Sequence, residues 1–198
     1  DRELDSLGEE HDRREQLITE MREQAKLISP LILPMLDKHF GEYEVFSVEE
    51  KLFEKINDFS LDKYDFKGYI DLVIKTSDGK YHIIDWKSCS WGWDAKKRSD
   101  KMITYQLTLY KKYFCQKHKV DPSNVETHFA LLKRTAKKEN VEIFRVTSGP
   151  KKTNNATELL VGALTHIKRK NHIRNRLSCR GCEFYKTEHC PKESKWIK

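Results

Sequence analysis

The chain has 198 residues, enough for one domain or for one domain with a small appendage. It is 35% charged and 37% hydrophobic, which is polar for a globular chain, but 4 Trp, 8 Tyr and 9 Phe argue against disorder, and no run of about 18 apolar residues is present to span a membrane. The net charge of +7 is uneven: from Lys151 onward 12 Lys and Arg stand against 4 Asp and Glu, a local +8 that leaves about −1 for the first 150 residues, so the C-terminal end is expected to meet a polyanion.

The N-terminal "DRELDSLGEEHDRREQ" has no apolar h-region, so no secretory signal and a cytoplasmic location are expected. From about Glu9 to Ile28 the pattern reads as a helix, with Leu17, Ile18, Met21, Ala25 and Ile28 as its apolar stripe. Ser29-Pro30 is expected to break it, a second short helix to run to about His39, and Gly41 to end that one. Tyr43 to Lys55 reads as a strand with an acidic interruption at Glu49-Glu50, and Asn57 to Asp65 as a polar connection. Two apolar strands around a polar turn follow, in "GYIDLVIKTSDGKYHIIDWKS". Next come a small-aromatic-basic loop, "CSWGWDAKKRSD", and a helix, "KMITYQLTLYKKYFCQKH", capped by Ser99 or Asp100. "VETHFALLKR" and "NVEIFRVTS" read as paired strands, "GPKKTNNATE" as a linker, and Thr157 to about Asn175 as a basic helix. This order implies an α/β or α+β fold with one mixed sheet, with a core over residues 1–150 and a basic helix and Cys-rich tail over 151–198.

The hairpin carries charge where a core is expected: Asp71 between Ile70 and Leu72, and Asp85 and Lys87 after Ile83-Ile84. Asp85 and Lys87 are two apart and share a face. Asp71 joins them only in one register. A two-residue Asp-Gly loop pairs 76 with 81 and sends the aspartates to opposite faces. A three-residue loop, Ser77-Asp78-Gly79, pairs 76 with 80 and sets 71 across from 85. It needs a left-handed third residue, and Gly79 stands there, so this second register is expected. Cross-strand Cβ atoms then lie about 5 Å apart, close enough for two carboxylates to share a divalent cation. Buried acids are costly unless paired or bound to metal. Carboxylate, carbonyl and water ligands suit Mg²⁺ or Mn²⁺, which can activate water and stabilise charge on a phosphate.

"GYIDLVI" followed fourteen residues later by "DWK" resembles the Gly-x-x-Asp and Asp-x-Lys motifs of the PD-(D/E)XK nuclease superfamily. "QLTLY", Gln106 to Tyr110, is similar to the Gln-x-x-x-Tyr motif of its RecB-type exonuclease branch, and the resemblance runs from about Gly8 to Cys190. It implies a restriction-endonuclease-like core, a central mixed sheet flanked by helices, and DNA hydrolysis. Asp71, Asp85 and the Trp86 carbonyl would hold metal, Lys87 would be the catalytic lysine, and Gln106 and Tyr110 would complete the site. His11, three residues after Gly8, would be a further metal ligand, and Glu50 another carboxylate near it. The three terminal cysteines, Cys179, Cys182 and Cys190, would hold an iron–sulfur cluster or zinc, although no cysteine precedes Cys89 to serve as the family's usual fourth ligand; Cys115, His172 or His189 could complete a zinc site instead.

Trp91, Trp93, Lys96, Lys97 and Arg98 interleave aromatic and basic residues after the catalytic strand, a composition that suits single-stranded DNA. Lys168, Arg169 and Lys170 are a second candidate for backbone contacts. DNA, as single strands or duplex ends, is therefore the expected partner. No Gly-x4-Gly-Lys-Ser/Thr loop is present, so a helicase motor would be a separate chain, and recombination or single-strand-binding proteins are the expected company of such a nuclease.

Overall fold

A computed structural model describes residues 2–58, 64–171, 176–185 and 187–190; the side chains of residues 2–12, 176, 177 and 180 are not among those described. The chain divides into a first unit over residues 1–158 and a second over 159–198. The border lies within a helix.

Helix α1 (Arg2–Phe40) opens the first unit and carries Pro30 and Pro34 inside it. The break expected at Ser29-Pro30 does not occur. Proline removes one intrahelical hydrogen bond and costs about 3 kcal/mol, but Ile28 and Leu36 are buried along one stripe, and Ile32, Met35 and Phe40 pack on the sheet. Burial of that stripe outweighs the local penalty. Leu17, Ile18 and Met21, expected to share the buried stripe, are exposed. Gly41 closes the helix at φ 69°, donating its N–H to Asp37 O at 2.9 Å.

Five strands follow in sheet order β1-β2-β3-β4-β5: β1 (Tyr43–Lys55), β2 (Asp65–Thr76), β3 (Tyr81–Cys89), β4 (Val125–Lys133) and β5 (Val141–Val146). All neighbours are antiparallel except β3 and β4, so the sheet is mixed, as expected. The parallel pair needs a crossover. Helices α2 (Ala95–Ser99) and α3 (Lys101–His118) provide it, and Asp100 caps α3 by accepting from Met102 N at 2.8 Å.

Both faces of the sheet are covered. Leu72, Ile74, Ile84, Ala130 and Ile143 pack with Leu36 of α1. The alternate residues Val73, Ile83, Phe129 and Leu131 are fully buried too. On that side Tyr81 meets Phe114 of α3, ring centroids 5.6 Å apart. Helix α4 (Pro150–Lys168) begins in the expected linker. Proline suits a first helical turn, where its missing N–H has no partner to lose, so "GPKKTNNATE" is the start of the basic helix rather than a tether to it. No helix among the described residues is long and apolar enough to cross a membrane.

Candidate active site

The β2–β3 turn sets the geometry. Gly79 has φ 82°, its N–H reaches Thr76 O at 2.9 Å, and Thr76 N reaches Lys80 O at 3.0 Å. The ladder then pairs Lys75 with Tyr81, Ile74 with His82, Val73 with Ile83 and Leu72 with Ile84. This is the three-residue register, and its next step places Asp71 across from Asp85. The ladder stops before that step. Instead of a backbone carbonyl, the Asp71 carboxylate accepts the Trp86 N–H, at 2.7 Å. The N–H and C=O of one strand residue point to the same side, so the Trp86 carbonyl opens toward Asp71 as well.

Asp85 is 2% exposed. Its Oδ2 is ion-paired with Lys87 Nζ at 2.8 Å and has no other partner among the described atoms. Burial pushes the Asp85 carboxyl above the usual carboxylate range; Lys87 opposes that shift, and the negative charge of Asp71 adds to it. Lys87 Nζ also donates to Gln106 Oε1 at 3.0 Å, and Gln106 Nε2 donates to Tyr110 Oη at 3.1 Å. One turn of α3 separates Gln106 from Tyr110. A row therefore runs from Asp85 through Lys87 and Gln106 to Tyr110. Its far end is set by Gly68: a Cβ there would come within 2.7 Å of Tyr110 Cε1. The glycine of Gly-x-x-Asp makes room for the tyrosine of Gln-x-x-x-Tyr, a link that spacing alone does not reveal.

Not every expected residue joins this row. His11 lies outside the described side chains. Glu50 is committed elsewhere: its Oε1 accepts from His118 Nε2 at 2.7 Å and from Lys117 Nζ at 2.8 Å. Partial burial alone would raise its carboxyl, but the hydrogen bonds from Lys117 and His118 outweigh that and hold it below the usual range. Glu50 is thus a strut between β1 and α3, not a free metal ligand. Glu49, beside it, has φ 51°, a left-handed kink in the strand.

The loop after β3 separates the two tryptophans. Trp93 is 8% exposed and packs on Phe129 and Phe144, at 5.1 and 6.2 Å, so it offers no face to a base. Trp91 is 72% exposed. Arg98 is also structural: Nη2 bonds Glu142 Oε1 at 2.6 Å, and Nε donates to Trp93 O at 2.8 Å. Lys96 and Lys97 remain exposed. In the second unit, Lys168, Arg169 and Lys170 are exposed. Among the described residues, Cys179, Cys182 and Cys190 are not gathered into a metal-ligand group. Among the described residues one such group is found, His82, Glu126 and His128, with one ligand atom from each within 4.8 Å of the others. No sequence motif pointed to it, because its members come from two strands and are not spaced as a metal motif.

A family profile described as "PD-(D/E)XK nuclease superfamily" matches residues 1–187. A search of curated proteins found no match. Among solved structures, that of SSO0001 aligns with TM-score 0.50 and 19% identity, covering 90% of this chain and 80% of the other. The "Putative exonuclease" from Eubacterium rectale aligns with TM-score 0.55 and 14% identity, covering 86% of this chain and 62% of its own. At those identities the two neighbours speak for the fold alone, a mixed sheet between helices that the profile match over nearly the whole chain then places: the chain belongs to the PD-(D/E)XK nuclease superfamily, whose members are metal-dependent phosphodiester hydrolases.

Proposed function

We propose that this chain is a Mg²⁺- or Mn²⁺-dependent DNA exonuclease acting on single strands or duplex ends. One observation carries the reading: Asp85, almost wholly buried, shares its site with a second carboxylate, Asp71, and one cation, Lys87 Nζ at 2.8 Å, stands against the two. Two carboxylates against one ammonium leave negative charge in a buried site, which a bound cation would offset. The donor set fits a hard divalent ion, with Asp71, Asp85 and the Trp86 carbonyl as ligands and His11 as a further one. Such an ion, when bound, lowers the pKa of water and stabilises negative charge on a phosphate.

The chain's own groups do the rest. Lys87 is held between Asp85 and Gln106, so its ammonium has a defined position from which to orient the scissile phosphate or the attacking water. Gln106 is aligned in turn by Tyr110. Asp71 ties down the Trp86 amide and with it the end of β3. Exposed Trp91, Lys96 and Lys97 follow that strand and suit a single strand, by stacking and by phosphate contact. The basic surface at Lys168, Arg169 and Lys170 is the proposed second contact to the DNA backbone. Cys179, Cys182 and Cys190 are proposed to hold a metal, as iron–sulfur or zinc, once a fourth ligand closes the set.

End-labelled linear DNA, single- and double-stranded, is incubated with Mg²⁺ or Mn²⁺ beside circular DNA of the same sequence. Mononucleotide release from linear DNA with circles intact is expected. Cleavage of circles would make the enzyme an endonuclease instead. Inactivity with both metals, or a Lys87→Ala protein that cuts as fast as wild type, refutes the catalytic assignment.

A further inference from the structure

The group His82, Glu126 and His128 lies on a different face from the nuclease row. His82 and Asp85 are three apart on β3, so they point to opposite sides of the sheet. Its hydrogen bonds can be assigned one by one. Asp78 Oδ1 lies 2.5 Å from Thr76 Oγ1, and a carboxylate only accepts, so the Thr76 hydroxyl gives its proton there. Thr76 Oγ1 must then accept from His82 Nε2, 3.1 Å away. That places the His82 proton on Nε2 and leaves Nδ1 with a bare lone pair. Nδ1 faces His128 Nε2 at 3.1 Å. The carboxylate–hydroxyl–imidazole chain from Asp78 orients this lone pair as an outer carboxylate orients a metal-bound histidine.

The remaining groups converge on the same point. His82 is 7% exposed and His128 3%, so burial favours both rings in the neutral form that binds metal. His128 Nδ1 has no hydrogen-bond partner among the described atoms, so it is open to carry the proton when Nε2 turns to a cation. Glu126 Oε2 lies 4.0 Å from His128 Nε2. The other Glu126 oxygen is held by Arg145 at 3.2 Å and by Lys80 at 3.7 Å. An ion about 2.0–2.1 Å from two nitrogens that are 3.1 Å apart subtends an angle of about 98°. That approaches tetrahedral once both rings tilt and the Glu126 carboxylate, 4.0 Å from His128 Nε2, swings in by more than half an ångström.

We propose that His82, Glu126 and His128 form a second metal site, of the kind that takes Zn²⁺ or Co²⁺, which clamps β3 to β4 independently of the nuclease carboxylates. Two imidazoles and one carboxylate are a borderline-soft set that discriminates against Mg²⁺, with a fourth position left for water. The ion joins two adjacent parallel strands, one of which carries Asp85 and Lys87, so its effect is on stability rather than on the chemical step. The site does not depend on the exonuclease reading.

The test uses the full chain, so that the terminal cysteines contribute equally throughout. The protein is dialysed against Co²⁺ with Mg²⁺ in excess, and bound cobalt is counted. Wild type is expected to hold about one equivalent more than His82→Gln or Glu126→Gln, with a visible spectrum from that ion free of thiolate charge transfer. Equal counts overturn the proposal and leave a purely hydrogen-bonded network. Zn²⁺ at about a hundredfold its Kd is expected to raise the Tm of wild type by about 5–10 °C more than that of either variant; equal rises overturn it. Should a variant fail to fold, ring ¹⁵N spectra of wild type decide: Co²⁺ is expected to shift the His82 and His128 resonances selectively, and unmoved resonances overturn the site.

Discussion

Replacing Gly68 with alanine tests whether the two family motifs act as one mechanical unit. The added Cβ would sit 2.7 Å from Tyr110 Cε1, 3.3 Å from Phe66 Cε1 and 3.4 Å from Tyr110 Cδ1. The shortest of these is about 0.7 Å inside ordinary contact. Tyr110 is 9% exposed and Phe66 stacks on Tyr113 with centroids 4.1 Å apart, so neither ring has open space to retreat into. Overpacking of this kind costs about 1–3 kcal/mol, or roughly 2–12 °C in Tm for a chain of this size. The displaced Tyr110 would carry Gln106 with it and loosen Lys87. Misplacement of a positioning group by about 1 Å can cost roughly a hundredfold, so kcat is expected to fall by about 10–100-fold with little change in KM. The assay is steady-state cleavage of end-labelled DNA at a temperature where CD shows the variant folded, paired with thermal melts. Adding Tyr110→Leu should relieve the clash and return part of the lost Tm without restoring kcat. A Gly68→Ala protein with wild-type Tm and kcat would refute the coupling.

Asp85→Asn should abolish cleavage yet raise the metal-free Tm by about 2–4 °C, from roughly 1 kcal/mol of relieved burial cost. Because the folded-state carboxyl is raised, its cost is absent below the ordinary carboxylate value and grows as pH rises through the raised one, so melts across that window should converge for wild type and variant at low pH and separate above it. Glu50→Ala should lower Tm, by about 1–3 kcal/mol in stability, while leaving kcat near wild type at permissive temperature. Its carboxyl is lowered on folding, so the wild-type advantage should be present above the ordinary glutamate value and fade as pH falls through the folded one; a kcat collapse in the folded variant would restore Glu50 to the site. Trp91→Ala should weaken single-strand binding by about 1–3 kcal/mol in a titration at fixed salt, with Tm unchanged. Trp93→Ala should instead lose about 3–5 kcal/mol of stability in denaturant melts.

The local features were legible from the chain alone. Gly79 announces its turn because only a left-handed third residue gives the three-residue loop, and that loop sets the register of Asp71 against Asp85. The bounds of β1, the Asp100 cap and Gly41 follow from equally short-range rules of alternation, capping and positive φ. What no window of sequence contains is the partner. Pro30 and the "GPKKTNNATE" stretch read as breaks because propensity weighs only neighbours, while burial of Ile28 and Leu36 and the tolerance of a first turn for proline decided otherwise. Glu50 pairs with residues 67 and 68 positions away, Arg98 with one 44 away, and His82 with one 46 away. Trp91 and Trp93 are the same residue type two apart, and only the rings of Phe129 and Phe144, brought in from β4 and β5, sent one inside and left the other in water.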